Sequence, residues 1–176
     1  MVSFPAYHYD ENLKEVPDSR EAFEKFIETA KNSEGKSREL LTKLGVAYRI
    51  THQLELAEEC LTEALLRTYA TKQEELVFTA KIRLAHCFQW QKRYTLSGSL
   101  FEELEEHLPI VSVSLQAFFW QHKGKNEFDQ GHYQLAKGCF EKALEIRVKH
   151  RLPHDLIESS QLALYETSKR IEWEDK

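Results

Sequence analysis

Eight histidines, three cysteines and several runs of carboxylates are the side chains of this 176-residue chain that could do chemistry. A transition-metal site needs His, Cys or carboxylate ligands at short, fixed spacing. His86, His122 and His132 have no such partner at the spacing of a recognised ligand motif. His150 and His154 are four apart, but Pro153 interrupts the helix that would align them. Cys60, Cys87 and Cys139 are far apart and odd in number, which points to three small buried residues in a reducing compartment and not to a disulfide framework. Glu58 and Glu59, and Glu102, Glu103, Glu105 and Glu106, are carboxylate clusters on helical segments. General acid–base work needs a cleft that shifts their pKa values, and an outward-facing helix offers only a solvated acidic face. No GxGxxG, Walker, HExxH, CxxC or GxSxG motif occurs. With no nucleophile, base and orienting group to name, the reading is a non-enzyme without metal or cofactor.

Composition narrows the class further. Hydrophobic residues make up 41% and charged residues 30%, with only 6 Gly and 4 Pro, so a fold of many short strands is not expected. The formal net charge of -5, without a basic run, argues against a nucleic-acid or anionic-membrane binder. No run of about 18 apolar residues predicts a transmembrane helix. The first 18 residues include Asp10 and Glu11 and lack an apolar core, so they do not read as a signal peptide, and a cytoplasmic location is expected.

The elements that would position any site come from an internal repeat. Gly45, Ala57 and Ala64 are spaced by 12 and 7 residues, and Ala85, Ser97, Leu104 and Gly124, Ala136, Ala143 repeat that spacing 40 and then 39 residues on. Leu61, Phe101 and Phe140 keep the same step, as do Leu54, Tyr94 and Tyr133. Each unit reads as two amphipathic helices joined by a short turn. Leu41, Leu44, Gly45 and Tyr48 share a face of the first, and Ala57, Leu61, Ala64 and Leu65 a face of the second. Small residues at 45 and 57 would let the two approach closely. One such pair cannot bury its apolar face alone, whereas stacked neighbours can.

These residues resemble the tetratricopeptide repeat family in a longer-period, 39–40-residue form. The matching features are Leu44, Gly45 and Tyr48, then Leu84, Ala85 and Phe88, on first helices, and Ala136, Phe140 and Ala143 on a second. Residues 128–136 resemble the family's inter-helix turn, with Gly131 at the bend, and Pro109 stands where a second helix ends. The resemblance covers residues 38–152. It implies an all-α, right-handed superhelical array of antiparallel helix pairs. Repeats are expected at about 38–76, 78–116 and 117–153, within a single domain over 18–176. A capping helix over 18–35 should start from an Asp18–Glu21 capping box, bury Ala22, Phe23, Phe26, Ile27 and Ala30, and stop near Gly35. Ser37 should cap the next helix. A last helix over 155–173, with Leu156, Leu162, Ala163 and Tyr165, reads as a cap or as half of a fourth repeat. Residues 1–17 form an extension that either packs back on the array or is disordered.

The resemblance further implies protein or peptide binding in a groove lined by the first helices. Positions left over from the core stripe are Thr42, Val46, Arg49 and Ile50, then Thr79, Ile82, Arg83, His86, Gln89 and Trp90, then Phe118, Gln121, His122, Lys125 and Phe128. From these, Arg49, Arg83, His86, Trp90, Phe118, His122 and Lys125 are the candidate partner-binding residues, suited to a ligand with acidic and apolar groups. The aromatics Trp90, Phe118 and Phe128 either anchor the ligand or fill gaps between repeats; a cation is not easily buried unpaired. Val46 and His86 stand where a chaperone-tail clamp would carry Asn, which argues against that ligand. Alternatives of other classes are a homo-oligomeric scaffold, with Ile171 and Trp173 or Phe4 and Tyr7 at the contact, and a signal-peptide sensor like the bacterial regulators of this family.

Overall fold

A computed structural model describes residues 3–174. Among them are eight α-helices: α1 Arg20–Lys31, α2 Arg38–Ile50, α3 Leu54–Tyr69, α4 Glu74–Trp90, α5 Tyr94–Glu105, α6 Val113–Asp129, α7 Tyr133–Lys149 and α8 His154–Glu174. Two short strands precede them, β1 Tyr7–Tyr9 and β2 Glu15–Pro17, paired antiparallel with Tyr7 opposite Pro17 and Tyr9 opposite Glu15. The extension left open between packing and disorder is therefore a β-hairpin. Its connection is closed by the Asp10 amide donating to the Lys14 carbonyl at 3.0 Å and the Lys14 amide donating to Asp10 Oδ1 at 2.9 Å.

The chain divides into two compact units, with a boundary at Arg93/Tyr94 inside the second expected helix pair. Unit 1 holds β1, β2 and α1–α4. Here α2 and α3 form a close pair, with α1 packed on α2 and α4 on α3. A Cβ built on Gly45 would stand 2.7 Å from Leu61 Cγ and 3.2 Å from the Ala57 carbonyl, so the absent side chain is what allows the approach. Leu41, Leu44, Tyr48, Ala57, Leu61, Ala64 and Leu65 are buried, as their spacing required. In α1 the buried residues are Phe23, Phe26, Ile27 and Ala30, while Ala22 faces solvent. Its cap is Ser19, whose hydroxyl accepts from the Ala22 amide, and not Asp18; Asp18 Oδ1 instead accepts from His8 Nδ1 at 2.7 Å and ties down the hairpin. The helix ends at Lys31, before Gly35. Ser37 caps α2 as expected, accepting from the Leu40 amide.

Unit 2 holds α5–α8 and the three residues Glu11–Leu13. Here α6 and α7 repeat the α2–α3 pairing: a Cβ on Gly124 would meet three Phe140 ring atoms at 2.6–3.0 Å. Phe128, Ala136, Phe140, Ala163 and Leu13 form one apolar cluster. Ala163 lies 39 residues after Gly124 and is fully buried, so α8 carries the register of a further first helix. Its buried face is Ser160, Ala163, Glu166 and Thr167; Tyr165, expected on that face, points outward. Arg147, buried on α7, donates to the Gln121 side chain and to Ser160, linking α6, α7 and α8.

The turns that follow α2, α4 and α6 share one geometry. His52, Lys92 and Gly131 are left-handed (φ 61°, 59° and 78°) and lie 40 and 39 residues apart. At each, the following amide reaches back five residues: Gln53 to Tyr48, Arg93 to Phe88 and His132 to Glu127. That is the Schellman ending of a helix, in which a left-handed residue frees the last carbonyls to be satisfied locally. Among the described residues no helix is long and apolar enough to cross a membrane.

Candidate functional site

Four of the seven candidate residues belong to unit 1. Arg49 closes α2, and His86 and Trp90, one helical turn apart, close α4; all three are buried. Arg49 escapes the cost of an unpaired buried charge because β2 brings Glu15 to it. The guanidinium donates to both carboxylate oxygens, at 2.8 and 3.2 Å, and the two side chains are only 3% and 4% exposed. His86 Nε2 lies 3.3 Å from Arg49 Nη1 and 3.8 Å from Glu15 Oε2, and accepts from Trp90 Nε1–H at 3.2 Å. Nε2 is thus the unprotonated nitrogen of the ring. The Trp90 indole is flanked by cations, with Arg49 Cζ 4.9 Å and Lys14 Nζ 5.1 Å from its ring centroid and the His52 ring 5.3 Å away.

Arg83, half-buried on the same helix, is pushed below its ordinary pKa first by burial and then by the charge of Arg49; Tyr7, Glu15 and Tyr9 of the hairpin oppose that shift. Two guanidiniums thus repel each other on one face, and the Glu15 carboxylate of the hairpin opposes that repulsion. Upstream, Phe4 packs edge-on against Phe23 and Phe26 of α1, with ring centroids 5.6 and 5.3 Å apart. Residues 4–10 and 14–17 therefore lie on unit 1 as a peptide would, with Phe4 seated on α1 and the Glu15 carboxylate on α2, while the turn Glu11–Leu13 belongs to unit 2. An open groove of ≈ 320 Å³ flanks β2, lined by Asp10, Lys14, Glu15, Ile50 and His52 among others.

Phe118, His122 and Lys125 belong to α6 in unit 2. His122 and Lys125 are buried, and the half-buried Phe118 stacks edge-on to the His122 ring at 4.3 Å. Phe128 is a core residue against Tyr133, and Ile50 and Ile82 are core as well, so these positions fill space inside the fold and are not open to a ligand. Gln121 is engaged with Arg147 and Ser160.

Sequence reasoning missed two features. Glu15 was not singled out, although an acidic residue one position from Val16 and two from Leu13 is what a strand with one charged inward position looks like. Trp120 was also missed. With Lys142 Nζ 3.9 Å from its ring centroid and Lys123 Nζ at 5.5 Å, it lines an open groove of ≈ 440 Å³ whose lining includes Gly98 of α5 and Leu135 and Gly138 of α7. Among the described residues no group of three or more His, Cys, Asp or Glu could hold a metal ion. Burial raises Cys87 and Cys139 to about 11, which makes them poor nucleophiles.

Helix pairs that repeat a small-residue contact, a left-handed turn and a 39–40-residue step define a helical-repeat protein. Residues 119–150, most of α6 and all of α7, match the family model of the tetratricopeptide repeat, which supports assignment of the chain to that family. Repeats of this family are in general protein-interaction scaffolds and not catalysts. The crystal structure of BtubC (BKLC) from P. vanneervenii is similar, with a TM-score of 0.59 at 18% identity over 86% of this chain. The match covers 64% of that chain, so the present chain spans less than two thirds of its length, and at this identity the likeness concerns the fold alone. None of the curated proteins matches the chain.

Proposed function

We propose that the chain is a scaffold that binds a protein or peptide through the faces of its first helices, with Arg49, Arg83, His86 and Trp90 as the main contacts in unit 1 and Phe118, His122 and Lys125 acting in unit 2. The observation that carries this reading is the hairpin itself. The α2–α4 face already holds an extended segment, binding its carboxylate through Arg49 and ringing Trp90 with cations. A face that accepts one acidic segment has the chemistry to accept another. Recognition is by a preformed surface, because α2 packs on α3 and α3 on α4. No proton is moved and no bond broken.

A capture experiment tests it. Wild type, Arg83→Glu and Leu135→Glu are used side by side on native lysate, with partners quantified by mass spectrometry. Arg83 is half-buried on the proposed face, and Leu135 is 62% exposed on α7. A partner lost with Arg83→Glu and kept with Leu135→Glu supports the reading. The reverse pattern moves the site to the α5–α7 groove and overturns it.

Self-association has one observation in its favour. Tyr165 and Trp173 on α8 are 62% and 60% exposed, large aromatic area left to water. Light scattering across a hundredfold concentration range decides this; a constant monomer mass removes it. Phe4 is not available for such a contact, since it is seated on α1.

A further inference from the structure

We infer that the hairpin's two arms, residues 4–10 and 14–17, are a built-in competitor for the unit 1 surface formed by α1, α2 and α4, so that a partner enters by presenting an extended segment with an aromatic and a carboxylate and displacing those arms. This rests on the scaffold reading and names the partner chemistry for its unit 1 face. Four observations lead to it. The hairpin engages that surface with an aromatic, Phe4 on Phe23 and Phe26 of α1, with a carboxylate, Glu15 on Arg49 of α2, and with Lys14 beside Trp90 of α4. Its backbone pairs only three residues with three, and so small a sheet has little stability of its own; the turn Glu11–Leu13 belongs to unit 2, where Leu13 is buried, and is not part of the exchange. The helices behind it hold their own core, with Ile50, Leu61, Phe78, Ile82 and Ala85 buried. Finally, the groove beside β2 is open and reaches Glu15, giving an incoming segment a place to dock before the hairpin leaves.

The chemistry of the exchange is a swap of carboxylates. Arg49 is too deeply placed to lose Glu15 to water at low cost, because it would stay desolvated beneath Trp90. It can pass from one carboxylate to another without that cost. A neutral or basic segment gains nothing there, and it would meet Arg49 and Arg83 as well. The face is therefore selective for an acidic segment, and the hairpin sets a threshold affinity that a partner must exceed.

The probe is a fluorescent synthetic peptide of residues 3–18, added in trans to the full chain and followed by anisotropy. Wild type is expected to bind it weakly. Phe4→Ala, which loosens the hairpin on α1 without touching the Arg49 pocket, is expected to bind at least tenfold more tightly, and so is Glu15→Gln. The same peptide with Gln in place of its Glu15 should bind Phe4→Ala at least tenfold less well. A Phe4→Ala chain that keeps its helicity and binds no better than wild type overturns the inference, as does a Gln peptide that binds equally. Should both variants fold poorly, hydrogen exchange of wild type decides. The Asp10 and Asp18 amides, bonded to Lys14 and Ala6 carbonyls, should exchange faster at millimolar peptide, and unchanged exchange overturns the inference. A lysate partner that binds the same face while those amides stay protected would leave the scaffold reading standing and this one refuted.

Discussion

Removing one partner from the Arg49–Glu15 pair is the perturbation with the largest expected effect. Both side chains are less than 5% exposed, and the contact is two-pronged at 2.8 and 3.2 Å. Glu15→Leu leaves a guanidinium buried beside Trp90 and His86, and a lone buried charge of this kind costs about 3–5 kcal/mol. Arg49→Met leaves the carboxylate, which can return to water if the hairpin lifts, so its loss should be the smaller of the two. The double variant replaces an ion pair by apolar side chains of similar bulk and should fall within about 1–2 kcal/mol of wild type. Urea unfolding followed by circular dichroism on all four chains closes a double-mutant cycle. The coupling energy should exceed about 2 kcal/mol, where exposed pairs give roughly 0–1. A coupling below about 1 kcal/mol would refute the argument, since it would mean that the two charges are not desolvated together.

Three further outcomes follow from local geometry. Gly124→Ala should destabilise, because the new Cβ meets the fully buried Phe140 ring at 2.6–3.0 Å and overpacking costs about 1–3 kcal/mol, more than the roughly 1 kcal/mol gained by removing a helical glycine; Gly138→Ala, with nothing within 4 Å, should stabilise by up to about 1 kcal/mol. Thermal melting of the pair checks both signs. Lys92→Gly should stabilise by at most about 1 kcal/mol, since Lys92 holds φ 59° at the turn where the third repeat has Gly131, and an unchanged or lower melting point would contradict it. Cys87 and Cys139, raised to about 11 by burial, should resist iodoacetamide at pH 8 in the folded chain and react on unfolding, as peptide mass spectrometry would show. Because the folded pKa is the higher one, their contribution to stability is complete below the ordinary thiol value of 9.0 and is lost as pH rises through about 11.

Much of the fold was legible in the chain because it is local and repeated. A glycine at 45 and again at 124, each facing a large residue 16 positions on, is a close helix contact written in sequence spacing. The turns at His52, Lys92 and Gly131 follow the same step, although only Gly131 advertises its left-handed backbone by residue type. The helix stop near Gly35 and the Asp18 cap were misplaced by a few residues, since Ser19 and Asp18 compete for one role and Asp18 is drawn off by His8.

The candidate site was legible only in part. Periodicity marked Arg49, Arg83, His86 and Trp90 as one face of two first helices, and that much depends on helical geometry alone. What occupies that face depends on a contact between residues 34 apart, Glu15 and Arg49, joined by a strand too short to carry a pattern of its own. By itself the sequence determined the helix pairs, their period and the small-residue contacts, because those follow from a 3.6-residue repeat and the volume of side chains. Only the tertiary structure decided which cations are buried and what neutralises them, because burial and pairing of charge depend on the chain folding back on itself.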